Sequence, residues 1–570
     1  MLFAIFLFIC LLFQPVPIRA IYDPLSVPNN TYGIHVADPN DISEAAALAN
    51  STGGDWGYVT LVIQDNDMNT AKWQELFNGM RRKHLIPLVR LATHPTGNAW
   101  TIPQEVDIDK WVNFLQSLNW PIENQYVILF NEPNHAKEWG NTIDPEGYGK
   151  LLIQFAKKLK QASPNFFILP AGLDASASND GIAIDEEEFI RRMIQANPDV
   201  FTYMDGWTSH SYPNPSFSGS PYGTGRGSLQ TFLWEQDYFL QIGMTKRLPI
   251  FITETGWQHA EGKYPDQRLL LSGTVASYIQ AAAASIWQHP NIVAVTPFVY
   301  SYQDEPFDHF SWRQLNSLEF YPMYQTYQQL LKTKGQPKQV ETFTASPMFF
   351  PKTLVINSTY TLQTSITNTG QGILTPNDGY TIDIQDPSKQ FSIFPDTIPL
   401  LEPKEQGIIR MMIKTPNKEG TYPLTLSINH NAVQIPIETR TITLIPPPSA
   451  TLHVTLGWNR IGTAKGATVL IYDIDNTLLH KFTDIPIDHG TLNVTGLYQI
   501  IPGYKYRVVV LVPYFLPRQS VITMKEESNT WTFKRFYPFD FNRDGKLTIA
   551  DIIALILLPP KDVLRALMGL

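Results

Sequence analysis

The sequence predicts a multidomain protein in which a (β/α)8 TIM barrel is followed by two all-β, sandwich-like domains and a short C-terminal segment that holds a calcium loop and a helix. The chain has 570 residues, and a single hydrophobic core stops growing at roughly 250 to 300 residues, so several domains are expected. Residues 31–331 alternate short apolar runs with longer amphipathic stretches, a pattern typical of repeated β-α units. After residue 335 the helical period disappears, and short alternating strands with Asn, Gly and Pro turns take over.

Eight apolar runs in the first part of the chain are interpreted as the barrel strands. They are rich in aliphatic and aromatic residues without strict alternation, as expected of strands that are covered on both faces. An open doubly wound sheet is the alternative, but such a sheet usually has a Gly-rich phosphate turn after its first strand, where this chain has His35-Val36-Ala37-Asp38. The predicted strands are 32–37, 57–63, 85–91, 126–130, 166–170, 206–212, 249–253 and 292–300.

Changes in composition set the predicted domain boundaries. The segments TYTLQTSITNTGQG and YKYRVVVLVPYF are the clearest strand patterns of the two β domains, and Pro446-Pro447-Pro448-Ser449 is a natural linker between them. The predicted domains are a barrel at 21–335, a β-sandwich at 340–446, a second all-β domain at 450–535, and the loop and helix segment at 536–570.

The first 20 residues are predicted to be a signal peptide. Residues 2–13 form an apolar run that is shorter than the ~20 residues a membrane-spanning helix requires, and Ala20 offers a cleavage point. No Lys or Arg precedes the run, which leaves an uncleaved N-terminal anchor as the alternative. Both interpretations make the protein secreted or cell-surface associated. The single cysteine, Cys10, lies in this segment, so the mature chain is expected to have no disulfide and no cysteine nucleophile.

The overall charge argues against one class of partner. The formal net charge is -9, and no basic patch of the kind that nucleic-acid binding needs is visible. The aromatic content is 12%, and aromatic faces can stack on sugar rings, although most such residues belong to cores and strands.

Two predicted strands end in a glutamate. The fourth strand is followed by Asn131, Glu132 and Pro133, and the seventh by Glu254 and Thr255. In a barrel of this kind the C-terminal strand ends meet at one rim, so both carboxylates are expected to face one cavity. Hydrolysis of a glycosidic bond needs a carboxylic acid that protonates the leaving oxygen and a carboxylate that meets the developing oxocarbenium ion.

The Asn-Glu-Pro and Glu-Thr-Gly exits together resemble the clan A glycoside hydrolases, which are retaining barrel enzymes, and the resemblance covers residues 31–331. It implies that the chain cleaves O-glycosidic bonds of an extracellular poly- or oligosaccharide by double displacement, without a catalytic cofactor. By this resemblance Glu132 is the acid/base, Glu254 is the nucleophile and Asn131 binds the 2-hydroxyl of the reacting sugar.

Other rim residues are assigned by the same resemblance. His210 and Tyr212, at the exit of the sixth strand, are expected to orient the two glutamates. Arg90, in the third strand, is similar to an arginine that clan members keep near the nucleophile, although that arginine usually lies on an earlier strand. An ordinary ion pair for Arg90 and a satisfied buried imidazole for His210 are the alternatives.

The eighth predicted strand departs from the clan pattern. Many members end this strand with a Trp beneath the reacting sugar, whereas this strand reads VAVTPFVYSYQDEP. Tyr300, Tyr302, Trp257 or Trp312 is therefore expected to provide the stacking surface. The exchange leaves the identity of the sugar open.

The segment DFNRDGKLTIAD has the spacing of an EF-hand-type calcium loop, with an invariant-position glycine, Gly545, at its sixth residue. It resembles a dockerin module, but a dockerin has two such loops. We therefore expect a structural Ca²⁺ site and do not expect cohesin binding. An acidic surface turn without an ion is the alternative. The predicted ligands are Asp540, Asn542, Asp544, the carbonyl of Lys546, and Asp551.

Two other functions remain open at this point. A barrel can also serve as the scaffold of a non-catalytic protein that binds glycans or a cell surface, because a fold does not determine activity. A transglycosylase would use the same residues, with a sugar hydroxyl in place of water. In every case the β domains are expected to act as spacers or weak carbohydrate-binding units.

Overall fold

The computed structural model describes residues 21–345, 351–457 and 462–568. The predicted signal peptide, with Cys10, lies outside these residues. The chain divides into two compact units, the first made of Met1–Glu341 with Gly370–Ile373 and the second of Thr342–Thr369 with Leu374–Leu570. Within the described residues, every helix is too short or too polar to cross a membrane.

Strands and helices alternate along the whole first unit, as predicted. Helix starts follow ordinary capping rules: Asp144 accepts a hydrogen bond from the backbone N–H of Gly147, and Pro145 is the first helical residue. The strands are β1 (Gly33–His35), β2 (Gly57–Gln64), β3 (Leu85–Ala92), β4 (Gln125–Leu129), β5 (Phe166–Pro170), β6 (Trp207–His210), β7 (Ile250–Glu254) and β8 (Ile292–Val295). The helices are α1 (Ile42–Ala49), α2 (Thr70–Arg82), α3 (Ile108–Ser117), α4 (Pro145–Ala162), α5 (Glu186–Ala196), α6 (Thr231–Gln241), α7 (Ser272–Ala283) and α8 (Pro322–Gln329).

The eight strands follow one another in chain order, and each is parallel to its neighbour. β1 to β5 form a five-stranded sheet, and β6 to β8 form a three-stranded sheet. A parallel bridge between Tyr32 and Val295 joins β1 to β8, and another between Asp174 and His210 lies where β5 and β6 end. This parallel order, with a bridge at both seams, brings the C-terminal strand ends to one rim.

Alternate residues of a strand contribute to two different cores. In β4, Tyr126 and Ile128 belong to an aromatic-rich cluster with Phe167 and Phe251, whereas Val127 and Leu129 pack in the larger cluster with the helices. The ring centroids of Tyr126 and Phe251 are 5.3 Å apart. Both faces of the strands are therefore buried, which explains their continuous apolar sequence.

β8 ends earlier than predicted. The apolar run continues to residue 300, but after Val295 the backbone bonds to other segments: Phe298 N–H donates to the carbonyl of Thr255, and Tyr300 N–H donates to that of His35. The segment after Val295 therefore leaves the sheet and crosses the rim, and its path determines which of its aromatic side chains face the cavity.

The second unit begins with two four-stranded sheets that share one core. The strands are β9 (Phe343–Ala345), β10 (Thr353–Val355), β11 (Thr359–Asn368), β12 (Thr381–Gln385), β13 (Ser392–Pro395), β14 (Gln406–Lys414), β15 (Gly420–His430) and β16 (Val433–Ile445). The first sheet contains, in spatial order, β9, β11, β14 and β13, and the second β10, β16, β15 and β12. Alternate residues of β11 are buried and exposed, as a sandwich strand requires.

A separate core lies among the strands that follow. The strands are β17 (Ser449–His453), β18 (Ala464–Tyr472), β19 (Leu478–Ile487), β20 (Thr491–Val494), β21 (Lys505–Val512), β22 (Tyr514–Thr523), β23 (Ser528–Thr532) and β24 (Pro538–Asp540). They form a three-stranded sheet with the order β20, β17, β23 and a five-stranded sheet with the order β19, β18, β21, β22, β24. Two short helices, α9 (Ile549–Leu557) and α10 (Pro560–Met568), come last.

Candidate active site

A cavity of about 500 Å³ opens at the C-terminal ends of the parallel strands. Its volume lies within the range of small-molecule sites. Six of the predicted residues line it: Arg90, Asn131, Glu132, Tyr212, Glu254 and the proposed stacking residue Tyr302.

The exit of β4 positions Glu132. Phe130 has φ +74° and Glu132 has φ +31°, and backbone of this kind costs a non-glycine residue about 1–3 kcal/mol. The N–H of Glu132 donates to the carbonyl of Gly172 at 3.0 Å, and the carbonyl of Glu132 accepts from the N–H of His135 at 2.9 Å. These bonds hold the turn that directs both Asn131 and Glu132 toward the cavity.

His210 connects the two glutamates. Its Nδ1 lies 2.9 Å from Oε1 of Glu132 and 3.8 Å from Oε2 of Glu254. Burial alone would lower the pKa of this imidazole, but the negative charge of Glu254 and the hydrogen bond to Glu132 raise it above its ordinary value. The two carboxyl groups therefore favour the protonated form of His210.

Glu254 is held as a carboxylate. Burial opposes its ionisation, but the positive charges of His210 and Arg90 outweigh burial and lower the pKa of Glu254 to about 2. The Nη1 group of Arg90 donates to Oε1 of Glu254 and, at 2.7 Å, to Oδ1 of Asn131. The hydroxyl of Tyr212 donates to Oε2 of Glu254 at 3.1 Å.

The two carboxyl groups face each other across the cavity. One oxygen of Glu132, one oxygen of Glu254 and one nitrogen of His210 all lie within 4.8 Å of one another. Three such groups could in principle ligate a metal ion, but the guanidinium of Arg90 already binds Glu254, and this positive charge would repel a cation. The arrangement suits acid/base and nucleophilic chemistry at one carbon atom.

Two predicted substrate contacts are not in the cavity. Trp257 is 2% exposed, and its Nε1 donates to the carbonyl of Gly219. Tyr300 is 1% exposed and packs against Phe320. The prediction that Trp257 and Tyr300 contact the substrate is therefore wrong, because each ring is enclosed by its own neighbours. Trp312 is buried against Tyr327 in the same way.

Sequence reasoning missed most of the aromatic wall of the cavity. Tyr302, one of the proposed stacking residues, does line it, and Phe298 lies beside the β7 exit, where its N–H bonds to Thr255. The early end of β8 was the reason that Phe298 was overlooked. The other unpredicted lining residues include His35, Gln64, Trp100, Phe130, Glu138, Phe217, Phe307 and Phe310.

The predicted calcium loop brings three carboxylates together. Oxygens of Asp540, Asp544 and Asp551 lie within 4.8 Å of one another. Gly545 has φ +81°, and its N–H donates to Asp540 at 3.2 Å, which is a conformation that favours glycine. The oxygens of Asp551 also accept hydrogen bonds from the N–H groups of Phe541 and Thr548.

The two other predicted ligands are near this cluster. Asn542 Oδ1 accepts from the N–H of Asp544 at 3.0 Å, and its amide nitrogen donates to Asp544 at 2.9 Å. The N–H of Lys546 donates to Asp544 at 2.8 Å. The donor set consists of oxygen atoms, which is the set that Ca²⁺ prefers.

No family model and no curated protein matches the chain. Among solved structures, it is similar to an FMN-binding β-glucuronidase from Facaelibacterium prausnitzii L2-6, with 9% identity, a TM-score of 0.35, and coverage of 73% of this chain and 56% of that chain. It is similar to a family 39 glycoside hydrolase from the gut symbiont Bacteroides cellulosilyticus WH2, with 14% identity, a TM-score of 0.38, and coverage of 70% and 83%. A GH113 β-1,4-mannanase has 11% identity, a TM-score of 0.33, and coverage of 53% and 100%. The chain thus spans about half the length of the first of these proteins.

Proposed function

We propose that this chain is a retaining glycoside hydrolase, with a (β/α)8 barrel as its catalytic domain. One observation carries the proposal: oxygens of Glu132 and Glu254 lie within 4.8 Å of each other in a single cavity. Retaining enzymes hold their two carboxyl groups about 5 to 5.5 Å apart, whereas inverting enzymes leave about 6.5 to 9.5 Å for a water molecule.

The two glutamates have different roles in the proposed mechanism. Glu132 donates its proton to the glycosidic oxygen while Glu254 attacks the anomeric carbon, so that the C–O bond breaks and a glycosyl ester forms. Glu132 then removes a proton from water, the water oxygen attacks the same carbon, and the ester bond to Glu254 breaks. The low pKa of Glu254 supports its role as the ionised nucleophile.

Neighbouring residues support each step. Nδ1 of His210 lies 2.9 Å from Oε1 of Glu132, within hydrogen-bond distance, and so holds the carboxyl group of Glu132 in place. Arg90 and Tyr212 fix the two oxygens of Glu254 and stabilise its charge. Asn131, aligned by Arg90, is proposed to bind the 2-hydroxyl of the reacting sugar.

The proposed substrate is a β-linked poly- or oligosaccharide outside the cell, and the protein is proposed to be secreted or attached to the cell surface. The β domains of the second unit would act as spacers or weak glycan-binding units. We do not expect cohesin binding, because the C-terminal segment has a single loop of the dockerin type.

Variants of the two glutamates test the proposal on a panel of 4-nitrophenyl β-glycosides. Glu254→Ala should abolish turnover, and Glu187→Ala, which changes an exposed glutamate on α5, should leave it unchanged. Glu132→Ala should regain turnover with azide, because nitrophenolate leaves without acid help and azide then displaces Glu254 to give a glycosyl azide. Turnover by Glu254→Ala equal to that of the wild type would refute the mechanism.

The same panel separates the alternative functions. A transglycosylase would transfer the sugar to an added sugar acceptor faster than to water. A non-catalytic glycan-binding protein would show no turnover with any glycoside while still binding polysaccharide in a pull-down assay. Hydrolysis that depends on both glutamates is the result that the proposal predicts.

We also propose that the C-terminal loop binds a structural Ca²⁺ ion through Asp540, Asn542, Asp544, the carbonyl of Lys546, and Asp551. The convergence of three carboxylates around Gly545 supports this assignment. Without a cation, three negative charges at this separation repel one another.

A further inference from the structure

His35 is a buried polar residue on the wall of the cavity. It is the last residue of β1 and only 2% exposed. Neither ring nitrogen has a hydrogen-bond partner among the residues that the structure describes. Its side chain nevertheless lines the cavity together with Glu254 and Phe298.

The position of the ring is fixed by the backbone and by one aromatic contact. The N–H of His35 donates to the carbonyl of Pro297, and its carbonyl accepts from Tyr300. The ring meets Phe298 edge to face, with centroids 5.0 Å apart. Its Nε2 lies 3.9 Å from Oε1 of Glu254, which is too long for a hydrogen bond but places the ring beside the proposed nucleophile.

The imidazole is uncharged. Burial and the nearby positive charge of Arg90 lower the pKa of His35 to about 3. A neutral imidazole has one N–H donor and one nitrogen acceptor. Leaving such groups buried without a partner destabilises the empty cavity, so a molecule in the cavity that supplies the partner recovers this free energy.

A sugar hydroxyl meets this requirement because it can both donate and accept. A carboxylate would be a poor partner at this wall, because it would approach the negative charge of Glu254, and Arg90 already bonds to Glu254 and Asn131. Two other basic residues, Lys137 and His135, are among the described residues that line the cavity, and both follow β4. Nε2 of His135 lies 2.8 Å from Oδ2 of Asp174 and forms an ion pair with it.

We infer that His35 hydrogen-bonds a hydroxyl group of the sugar that occupies the reacting position, and that this wall, with the negative charge of Glu254 beside it, favours an uncharged glycone over a uronic acid. This inference rests on the proposed glycosidase function and adds a specificity-determining residue to it.

The test compares two variants on matched substrates. His35→Phe removes both ring nitrogens and keeps a ring of similar shape, whereas His35→Gln keeps a donor and an acceptor. The substrates are the best neutral 4-nitrophenyl glycoside, its 3-deoxy, 4-deoxy and 6-deoxy analogues, and the corresponding uronide. Thermal unfolding monitored by circular dichroism identifies any variant that fails to fold.

His35→Phe should lower kcat/KM for the parent glycoside by about 10- to 100-fold. For the deoxy analogue that lacks the bonded hydroxyl, the variant and the wild type should have nearly the same kcat/KM. His35→Gln should restore part of the loss. An equal loss of kcat/KM for the parent and for every deoxy analogue would make His35 a packing residue and overturn the inference. Unchanged kinetics of His35→Phe would overturn it too, and so would a wild-type preference for the uronide. If the wild-type protein cleaves none of these glycosides, the proposed function itself fails, and the two failures are thus distinguishable.

Discussion

The imidazole ring of His210 packs directly against the α-carbon of Gly172. A methyl group at position 172 would lie 2.2 Å from Cδ2 and 2.4 Å from Nε2 of His210, far inside van der Waals contact. Gly172 follows β5, and its carbonyl accepts the hydrogen bond from Glu132 N–H. A residue without a side chain at this position therefore lets His210 reach Glu132.

We expect Gly172→Ala to displace His210 and to lower kcat by about 100-fold, because a shift of about 1 Å in a catalytic group can cost that much. Gly273→Ala is the matched control, since a methyl group there would meet no other atom within 4 Å. The measurements are kcat on the best glycoside and the thermal unfolding midpoint. Wild-type kcat in a folded Gly172→Ala protein would show that the position of His210 does not matter.

Arg90 should control the acid limb of the pH profile. Glu254 must be ionised to attack, and its pKa is held at about 2 by the nearby positive charges of His210 and Arg90. In Arg90→Gln this pKa rises, so kcat/KM should begin to fall at a higher pH than in the wild type when measured between pH 3 and pH 7. Arg192→Gln, which removes a pair with Glu146, should leave the limb in place. An unchanged limb in Arg90→Gln would contradict the role given to Arg90.

Much of this site could be predicted from the sequence because its chemistry is local to strand ends. Glu132 and Glu254 each follow an apolar run, and parallel strands bring such exits to one rim. Tyr300 was assigned wrongly because the apolar run hides the end of β8 at Val295. The contact between Gly172 and His210 joins two different strand exits, and spacing along the chain carries no signal for it.

In the second unit, too, local motifs can be predicted from the sequence, whereas contacts between distant segments cannot. The proposed calcium loop is recognisable because its candidate ligands recur at fixed short intervals, and three of its carboxylates do converge. The order of strands in the β domains depends on long-range pairing, such as that of β11 with β14. Alternating burial predicts the presence of such strands but not their partners.

Glu186 and Glu235 should make stability depend on pH. Both are fully buried, and burial raises the pKa of each, with the charge of Glu235 raising that of Glu186 further. A carboxyl group whose pKa is raised by folding stabilises the protein below its unfolded pKa, and this stabilisation is lost as the pH rises through the folded pKa. The free energy of unfolding of the wild type should therefore fall between pH 5 and pH 8.

Glu235→Gln should weaken this fall, because the amide has no proton to lose. The exposed variant Glu187→Gln is the control and should keep the wild-type dependence. Urea unfolding at both pH values measures the difference. The same dependence in Glu235→Gln and in the wild type would show that this buried pair is not its source.

Calcium should stabilise the C-terminal loop. At 100 times its dissociation constant a ligand stabilises the folded state by about 2.7 kcal/mol, so chelation with EDTA should lower the unfolding midpoint of this region. Asp540→Ala should abolish both that response and the heat of Ca²⁺ binding in calorimetry. Asp475→Ala, at an exposed turn residue, should preserve both. A wild-type protein that releases no heat with CaCl₂ would disprove the site.

The most direct test of the account is the anomeric configuration of the first product. Proton NMR during hydrolysis of a β-glycoside distinguishes the α- and β-anomers before they interconvert. Oxygens of Glu132 and Glu254 lie within 4.8 Å of each other, and the proposed double displacement through a glycosyl ester of Glu254 predicts that the β-anomer forms first. Initial release of the α-anomer would mean direct attack by water and would contradict the central claim.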